Sequence, residues 1–257
     1  MKKSVVAYVM AKNEEERIES CVRSLDWCDA VIVADTGSLD QTKRIAEAAG
    51  ANVVDIEFKG FGKTRNSIID LIDAEWIVCF DADEQCTKEL ALEIQREISS
   101  ENFVALKAPR KNFLLGKEIL HSGWNPDYRH PVAFKKNCAR YNENEVHEGL
   151  IIQGKEKKLK SKFLHYSFKN LGEYVSKSIK YSELGAYELI KKKKRVSLNT
   201  ALLHGFSRFF RHYFFKLGFL DGWAGLVIAS TSSYGTFMKY SRAHEMQEEQ
   251  RKKNSKV

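Results

Sequence analysis

Several patterns that identify large classes of protein are absent from this sequence. Its five cysteines form no C-x-x-C pair, and an odd number fits a disulfide framework poorly, so we expect reduced thiols and a cytoplasmic protein. No segment reaches the ~18 apolar residues that a membrane-spanning helix needs. Neither G-x-G-x-x-G nor G-x-x-x-x-G-K-[ST] occurs, which argues against a dinucleotide-dependent enzyme and a P-loop ATPase.

The amino-terminal segment MKKSVVAYVMAKNEEE begins as a signal peptide does, with lysines followed by apolar residues. Its apolar run is only about seven residues long and turns acidic without a cleavage site. We therefore interpret this segment as a first β-strand.

The composition is that of a globular protein with a basic carboxy-terminal part. The chain has 257 residues, of which 43% are hydrophobic, and this suits one domain of α/β size or a domain with an appendage. The net charge is +8, and the excess is concentrated at 155–162, at 191–195 and near the carboxy terminus. Such a distribution indicates an anionic neighbour: nucleic acid, a membrane surface or a charged substrate.

The first hundred residues alternate between β-branched apolar runs and segments with helical spacing. The apolar runs are SVVAYVM, AVIVAD, NVVDIEF and EWIVCF. Continuous apolar strands that alternate with helices predict an α/β protein, with a mainly parallel sheet covered by helices on both faces.

After the first hundred residues the pattern changes twice. Short strands between about 102 and 167 predict a small antiparallel addition to the sheet, and the chain is helical from about 170. We predict one catalytic domain with halves at 1–105 and 106–168, a helical region at 169–245, and a charged tail at 246–257 that we expect to be disordered.

Acidic residues follow two of the predicted parallel strands. Ligands of open α/β sheets bind beyond the carboxyl ends of the strands. Asp81 and Asp83 follow the fourth strand and, being two apart, face the same side, which suits Mg²⁺ or Mn²⁺. Glu84 is interpreted as an acid at the start of the next helix, and the same position is the alternative for Asp81 and Asp83. Asp35 follows the second strand, where it either binds a nucleoside or stabilises a turn with Gly37 and Ser38.

Four motifs resemble, in order, the amino-terminal half of family 2 glycosyltransferases of the GT-A fold: VMAKNEEERIESCVRSL, VIVADTGSLDQT, GFGKTRNSII and WIVCFDADEQ. Later motifs, among them GWNPDYRHPVAFKK, VHEGL and LHYSFKNLGEYVSKSIKYSELGA, resemble the bacterial lipopolysaccharide-core β-1,4-glucosyltransferase subgroup. The resemblance implies inverting transfer of a hexose, with UDP-glucose as the expected donor and a lipopolysaccharide-core or other lipid-linked glycan as the acceptor.

The resemblance also implies a set of site residues. Those expected to bind the nucleotide sugar are Ala11, Asn13, Glu14, Asp35, Arg65, Asp81 and Ala82. Asp81 and Asp83 match the motif for a divalent metal, Mn²⁺ or Mg²⁺, and the diphosphate. Glu148, in VHEGL, matches the catalytic carboxylate, and a solvated acid at a strand edge is the alternative. His165 is either a further metal ligand or a histidine of the core.

The segment 204–219 interleaves Phe and Tyr with Arg, His and Lys. Basic aromatic helices of this kind lie on anionic membranes, so we expect a peripheral protein on the inner face of the cytoplasmic membrane. The alternative is a core helix whose cationic side chains extend outward.

Two other functions remain open. A nucleotidyltransferase should carry a Gly-rich loop with Arg or Lys after the first strand, where MAKNEEERIE stands. A nucleic-acid-binding protein should carry its basic residues on a sheet or recognition helix, whereas here they occur late in the chain. We therefore expect no nucleic acid partner.

Overall fold

The computed structural model describes residues 3–125, 127–128, 131–142 and 149–254, which form two compact units. The first comprises Met1–Lys111 and Pro126–His165, and the second comprises Asn112–Asn125 and Tyr166–Val257. This boundary lies close to the predicted end of the catalytic domain, and it also assigns a short segment near residue 120 to the helical part.

The first hundred residues alternate strands and helices as predicted. The elements are β1 (Val5–Ala11), α1 (Ile18–Arg23), β2 (Ala30–Asp35), α2 (Thr42–Ala48), β3 (Asn52–Asp55), α3 (Phe61–Leu71), β4 (Trp76–Asp81), β5 (Glu84–Gln85) and α4 (Lys88–Ser100). Local chemistry explains the boundaries of two helices. Thr87 caps α4 by accepting the Leu90 N–H, and Gly50, just after α2, adopts a φ of +99° that favours glycine.

Short strands follow, most of them in the first unit. They are β6 (Ala105–Lys107), β7 (Arg110–Leu114), β8 (Lys117–Glu118), β9 (Pro131–Lys135), β10 (Ala139–Tyr141), β11 (Leu150–Ile152), β12 (Glu156–Lys158) and β13 (Phe163–Tyr166). The main sheet has the order β12-β6-β9-β4-β1-β2-β3. Strands β4, β1, β2 and β3 are parallel, and β9 runs antiparallel to its neighbours β4 and β6. Strands β10 and β11 form a separate antiparallel pair.

The two faces of this sheet bury different side chains. On one face, Val9 of β1 and Phe80 of β4 share a core with α1, α2 and α4. On the other face, Tyr8 and Ile77 pack with Ile68 and its neighbours on α3. Alternation along each strand therefore places helices on both faces, and the predicted α/β fold with a mainly parallel sheet is confirmed.

The second unit is mainly helical. It contains α5 (Leu171–Lys191), α6 (Leu198–Phe210) with a π-helical turn at Arg211–Phe215, a 3-10 turn at Gly218–Asp221, and α7 (Trp223–Asn254). None of the helices among the described residues is both long enough and apolar enough to cross a membrane.

The expected disorder after residue 245 is wrong for 246–254, which continue helix α7. Met246 packs against the small core formed by Ala186, Leu189 and Ala243. Farther along the helix, Arg251 pairs with Glu248 one turn earlier at 2.6 Å. A charged segment can therefore remain helical where ion pairs and one apolar face support it.

Candidate functional site

The carboxyl ends of three strands meet at one edge of the main sheet. Strand β1 lies between β2 and β4 and is parallel to both. Their register sets Ala11 beside Asp35 and Met10 beside Asp81. The polar residues that follow each strand therefore converge, as expected for an open α/β sheet.

A cavity of about 370 Å³ opens at this edge. It is lined by Met10, Ala11, Lys12, Glu14, Thr36, Phe58, Phe61, Arg65, Asp81, Ala82 and Asp83. Six of the predicted site residues are in that lining. The volume lies within the range of ~300–1,000 Å³ that is usual for small-molecule sites.

Asp35 and Asn13 hold the loops beside the cavity and are not part of its lining. The buried Asp35 carboxylate accepts the backbone N–H groups of Gly37, at 3.0 Å, and Ser38, at 2.8 Å. Asn13 accepts the Leu39 N–H with its side-chain oxygen at 2.8 Å and donates its own N–H to the Ser38 hydroxyl. These contacts are the ones expected if Asp35 stabilises a turn with Gly37 and Ser38. That Asp35 binds a nucleoside stays a prediction.

Arg65 and Asp81 form a pair at the base of the cavity. The Arg65 Nη2 lies 2.7 Å from the Asp81 Oδ1, and its Nη1 is 3.4 Å from the Tyr141 hydroxyl. Burial lowers the pKa of Arg65, but the charge of Asp81 together with smaller effects of Tyr141, Tyr8 and Cys79 outweighs this, and the pKa lies well above its ordinary value. The guanidinium is therefore a permanent, oriented cation. Its Nε has no hydrogen-bond acceptor among the described residues.

A second cluster, formed by Asp83, Glu84 and His165, lies beyond the turn that follows β4. The His165 Nε2 is 3.6 Å from the Asp83 Oδ2, and one donor atom from each of the three residues lies within 4.8 Å of the others. Antiparallel pairing of β5 with β13 sets Glu84 opposite His165. Asp81, which the sequence also suggested as a metal ligand, contacts Arg65 instead of joining this group.

The donor set suits a divalent cation. Carboxylate oxygens are the preferred ligands of Mg²⁺ and Mn²⁺, and an imidazole nitrogen shifts the preference toward Mn²⁺. Of this group, Asp83 and His165 would hold the ion, because both carboxylate oxygens of Glu84 are already engaged by the Asp81 N–H and the Arg110 guanidinium. The His165 side chain is 17% exposed and lies opposite Glu84, and its role as a metal ligand stays a prediction.

The interpretation of Glu84 as a helix-start acid is wrong. Helix α4 begins later, at Lys88, and Glu84 is 5% exposed. Its carboxylate accepts the Asp81 N–H at 3.0 Å and lies 2.9 Å from the Arg110 guanidinium. Burial and the nearby charge of Asp81 raise the pKa of Glu84, and the Arg110 guanidinium opposes that rise.

Arg110 was missed altogether at the level of sequence. It begins the short strand β7, and nothing in the residues beside it indicates a partner as distant as Glu84. Phe58 and Phe61, which border the cavity as an edge-to-face pair with ring centroids 5.1 Å apart, were also missed. In the sequence, the only indication of this pair was the presence of two aromatic residues close to a glycine in a polar segment.

Glu148, the predicted catalytic carboxylate, lies outside the described residues. The residues on either side of 143–148 are held together, since the Asn142 N–H donates to the Gly149 carbonyl at 2.9 Å. Asn66 anchors the adjoining strand β10 by exchanging two hydrogen bonds with the backbone of Tyr141. The Tyr141 ring in turn contacts Arg65, which connects β10 to the cavity.

Residues 7–148 match the sequence model of the family described as Glycosyl transferase family 2. A Rickettsia bellii protein described as an uncharacterized glycosyltransferase is 28% identical over 263 residues, covering 95% of this chain and 87% of the relative. The lipopolysaccharide core biosynthesis glycosyltransferase LpsC of Rhizobium meliloti is 24% identical over 252 residues, covering 93% of this chain and 91% of the relative.

Solved structures with partial similarity include Staphylococcus aureus TarS 1–349, with a TM-score of 0.47 and 17% identity over 70% of this chain and 64% of the other. Another is glucosyl-3-phosphoglycerate synthase from Mycobacterium tuberculosis in complex with Mn²⁺, UDP-glucose and phosphoglyceric acid. Its TM-score is 0.37 at 25% identity, covering 41% of this chain and 43% of that one. The chain thus spans less than two thirds of each of these solved chains.

Proposed function

The chain belongs to glycosyl transferase family 2, and from this premise we propose that it moves a hexose from UDP-glucose to a lipopolysaccharide-core or other lipid-linked glycan, with inversion at the anomeric carbon. The observation that carries the proposal is the meeting of three strand ends at one cavity, which is lined by an oriented cation and paired acids. Similarity to a lipopolysaccharide core glycosyltransferase over nearly the whole chain supports the acceptor class.

In this proposal Arg65 and Lys12 bind the diphosphate of the donor. Both side chains line the cavity, and Arg65 is held in place by Asp81 at 2.7 Å. Guanidinium groups bind phosphate oxygens through charge-assisted hydrogen bonds, and the Arg65 Nε still lacks an acceptor. A fixed cation at the leaving group stabilises the negative charge that develops as the glycosidic bond breaks.

Asp83 and His165 of the cluster would hold Mn²⁺ or Mg²⁺, which when bound neutralises the departing diphosphate. Those two side chains would orient the ion from the protein side. Because Asp83 also lines the donor cavity, the ion would lie between the protein and the phosphates.

Glu148 is assigned as the general base. Its carboxylate would accept the proton of the acceptor hydroxyl while the hydroxyl oxygen attacks the anomeric carbon from the face opposite the diphosphate. The bond between that carbon and the diphosphate oxygen then breaks, and UDP leaves with the electron pair. A base of this kind contributes about 10²–10⁴-fold to the rate.

A lipid-linked acceptor would require access to a membrane surface, and the second unit offers a fitting one. Large apolar side chains are exposed along 198–226; the most exposed are Leu203 at 72%, Phe206 at 66% and Phe215 at 81%. We name the exposed apolar residues of 198–226 the apolar patch. The single acid of this segment, Asp221, is buried and accepts the Ser122 hydroxyl at 2.6 Å.

Cationic residues accompany the apolar patch. Arg208, Arg211 and Lys216 are exposed within it, and the run KKKKR at 191–195 directly precedes it. Exposed aromatic and aliphatic side chains with only basic neighbours are complementary to an anionic lipid surface. We assign the second unit to peripheral attachment at the inner face of the cytoplasmic membrane.

A donor screen tests the proposed function. UDP-glucose, UDP-galactose, UDP-N-acetylglucosamine and GDP-mannose would each be incubated with the full chain and Mn²⁺, Mg²⁺ or EDTA, while thermal stability and nucleotide release are measured. UDP-glucose with Mn²⁺ should raise Tm and release UDP, and EDTA should abolish both effects. Turnover of a nucleoside triphosphate with a sugar phosphate would instead support a nucleotidyltransferase.

A further inference from the structure

Glu84 lies directly behind the turn that presents Asp83. Its Oε2 accepts the Asp81 N–H at 3.0 Å, which closes the turn between the end of β4 and the start of β5. The residue is buried, so this contact is shielded from competing water. This hydrogen bond therefore helps to fix the Asp81–Asp83 segment, together with the Arg65–Asp81 pair.

The other oxygen of Glu84 is held from the opposite side. The Glu84 Oε1 lies 2.9 Å from the Arg110 Nη2, and both side chains are less than 10% exposed. Arg110 also lies 3.6 Å from Asp127 and stacks over the ring of Phe163, with 5.6 Å from its Cζ to the ring centroid. Phe163 begins β13, the strand that carries His165.

Glu84 is thus tied to both segments that supply the cluster. Through Asp81 it contacts the turn of Asp83, and through the pairing of β5 with β13 it is set opposite His165. A buried ion pair is weak support for stability, since apolar residues of similar volume often replace such pairs without loss. Its position behind Asp83 and His165 indicates a different role, which is to orient those two side chains.

We propose that Glu84 is a positioning residue, which with Arg110 holds Asp83 and His165 in the arrangement that binds the divalent cation. The proposal rests on the metal site of the proposed function. Groups that orient metal ligands typically change metal affinity by about 10–100-fold when they are removed.

The test is Mn²⁺ affinity, measured with the full chain by the electron paramagnetic resonance of free Mn²⁺ at a fixed UDP concentration. Glu84→Gln keeps the size of the side chain and removes its charge. The paired variant Glu84→Leu/Arg110→Met removes both charges, so that a folded protein is obtained even if an unpaired Arg110 destabilises the first variant. Circular dichroism confirms that each protein is folded.

Glu93→Gln is the matched control. Glu93 is also a buried glutamate, and its carboxylate accepts the N–H groups of Lys160 and Ser161, away from the cluster. We expect both Glu84 variants to bind Mn²⁺ about 10–100-fold more weakly and Glu93→Gln to bind it as the unmodified protein does.

Two results would overturn parts of this picture, and they are distinguishable. Mn²⁺ affinity within about twofold of the unmodified protein in the folded Glu84 variants contradicts the positioning role, because removal of such a group should cost about 10-fold or more. Failure of the unmodified protein itself to bind Mn²⁺ with UDP contradicts the metal site, and the positioning role with it.

Discussion

The two units of this protein place their charged and apolar side chains in opposite ways. The first buries its apolar residues on both faces of a sheet and gathers acids at one edge. The second carries 18 of the 24 large exposed hydrophobic side chains among the described residues, and 12 of these lie within 198–226, together with basic neighbours. The proposed chemistry and the proposed attachment to a membrane surface thus belong to different units, and mutations should separate them.

The largest expected effect is on the first unit. Asp83→Ala removes a carboxylate of the proposed metal cluster, and a bound divalent cation supplies several kcal/mol of transition-state stabilisation. We expect kcat for UDP release to fall by at least about 10³-fold, while anionic vesicles are bound as before. Asp73→Ala, at an exposed acid of the same unit, is the control and should keep full activity. Substantial activity in Asp83→Ala would show that the cluster is not used.

Glu148→Gln should have the next largest effect. Loss of the proposed general base should lower kcat of transfer to the acceptor by about 10²–10⁴-fold, whereas binding of the proposed donor UDP-glucose should persist because the cavity is intact. Transfer assays stopped at fixed times would measure kcat, and calorimetric titration with UDP-glucose would measure donor binding. Transfer at nearly the normal rate would rule out Glu148 as the base.

Variants of the apolar patch should lose binding to membranes and keep catalysis, which is the reverse of what the variants in the first unit should show. Phe206→Ser/Phe215→Ser removes two exposed rings. Because burial of a Phe side chain in the lipid contributes about 1.5–3 kcal/mol, affinity for anionic vesicles should fall by at least about 10-fold. Donor hydrolysis in the absence of lipid should not change. Vesicle flotation with phosphatidylglycerol, compared with phosphatidylcholine alone, measures the loss.

Leu71→Ser/Leu92→Ser is the matched control, because both leucines are exposed on the first unit, at 61% and 68%. It should float as the unmodified protein does. If the patch variant instead abolished self-association, with vesicle binding unchanged, a second copy of the chain would be the partner of this surface.

The smallest expected effect concerns the aromatic pair beside the cavity. Phe61→Ala removes a ring that lines it, and stacking of a base on an aromatic side chain is worth about 1–3 kcal/mol. The KM for UDP-glucose should rise by about 10-fold or more with little change in kcat. Phe61→Tyr keeps the ring and should keep the KM; equal KM values in both variants would argue against stacking.

Much of the first unit was predictable because its signals are local. Apolar runs between helical segments predicted the parallel sheet, and strand ends marked by Asp35 and Asp81 predicted the edge at which a ligand binds. The contacts of Glu84 were not predictable. In the stretch DADEQ it precedes a helix, and the short strand β5 that carries it is defined only by pairing with β13.

The sequence by itself determined the order of strands and helices, the family motifs, and the residues that line the cavity from β1 and β4. These depend on periodicity and on spacing within one segment. Only the tertiary structure decided that Asp81 contacts Arg65, that Glu84 is buried against Arg110, and that His165 lies beside Asp83. Those contacts join distant segments through strand pairing and buried charge, and neither is encoded in the residues on either side of a single position.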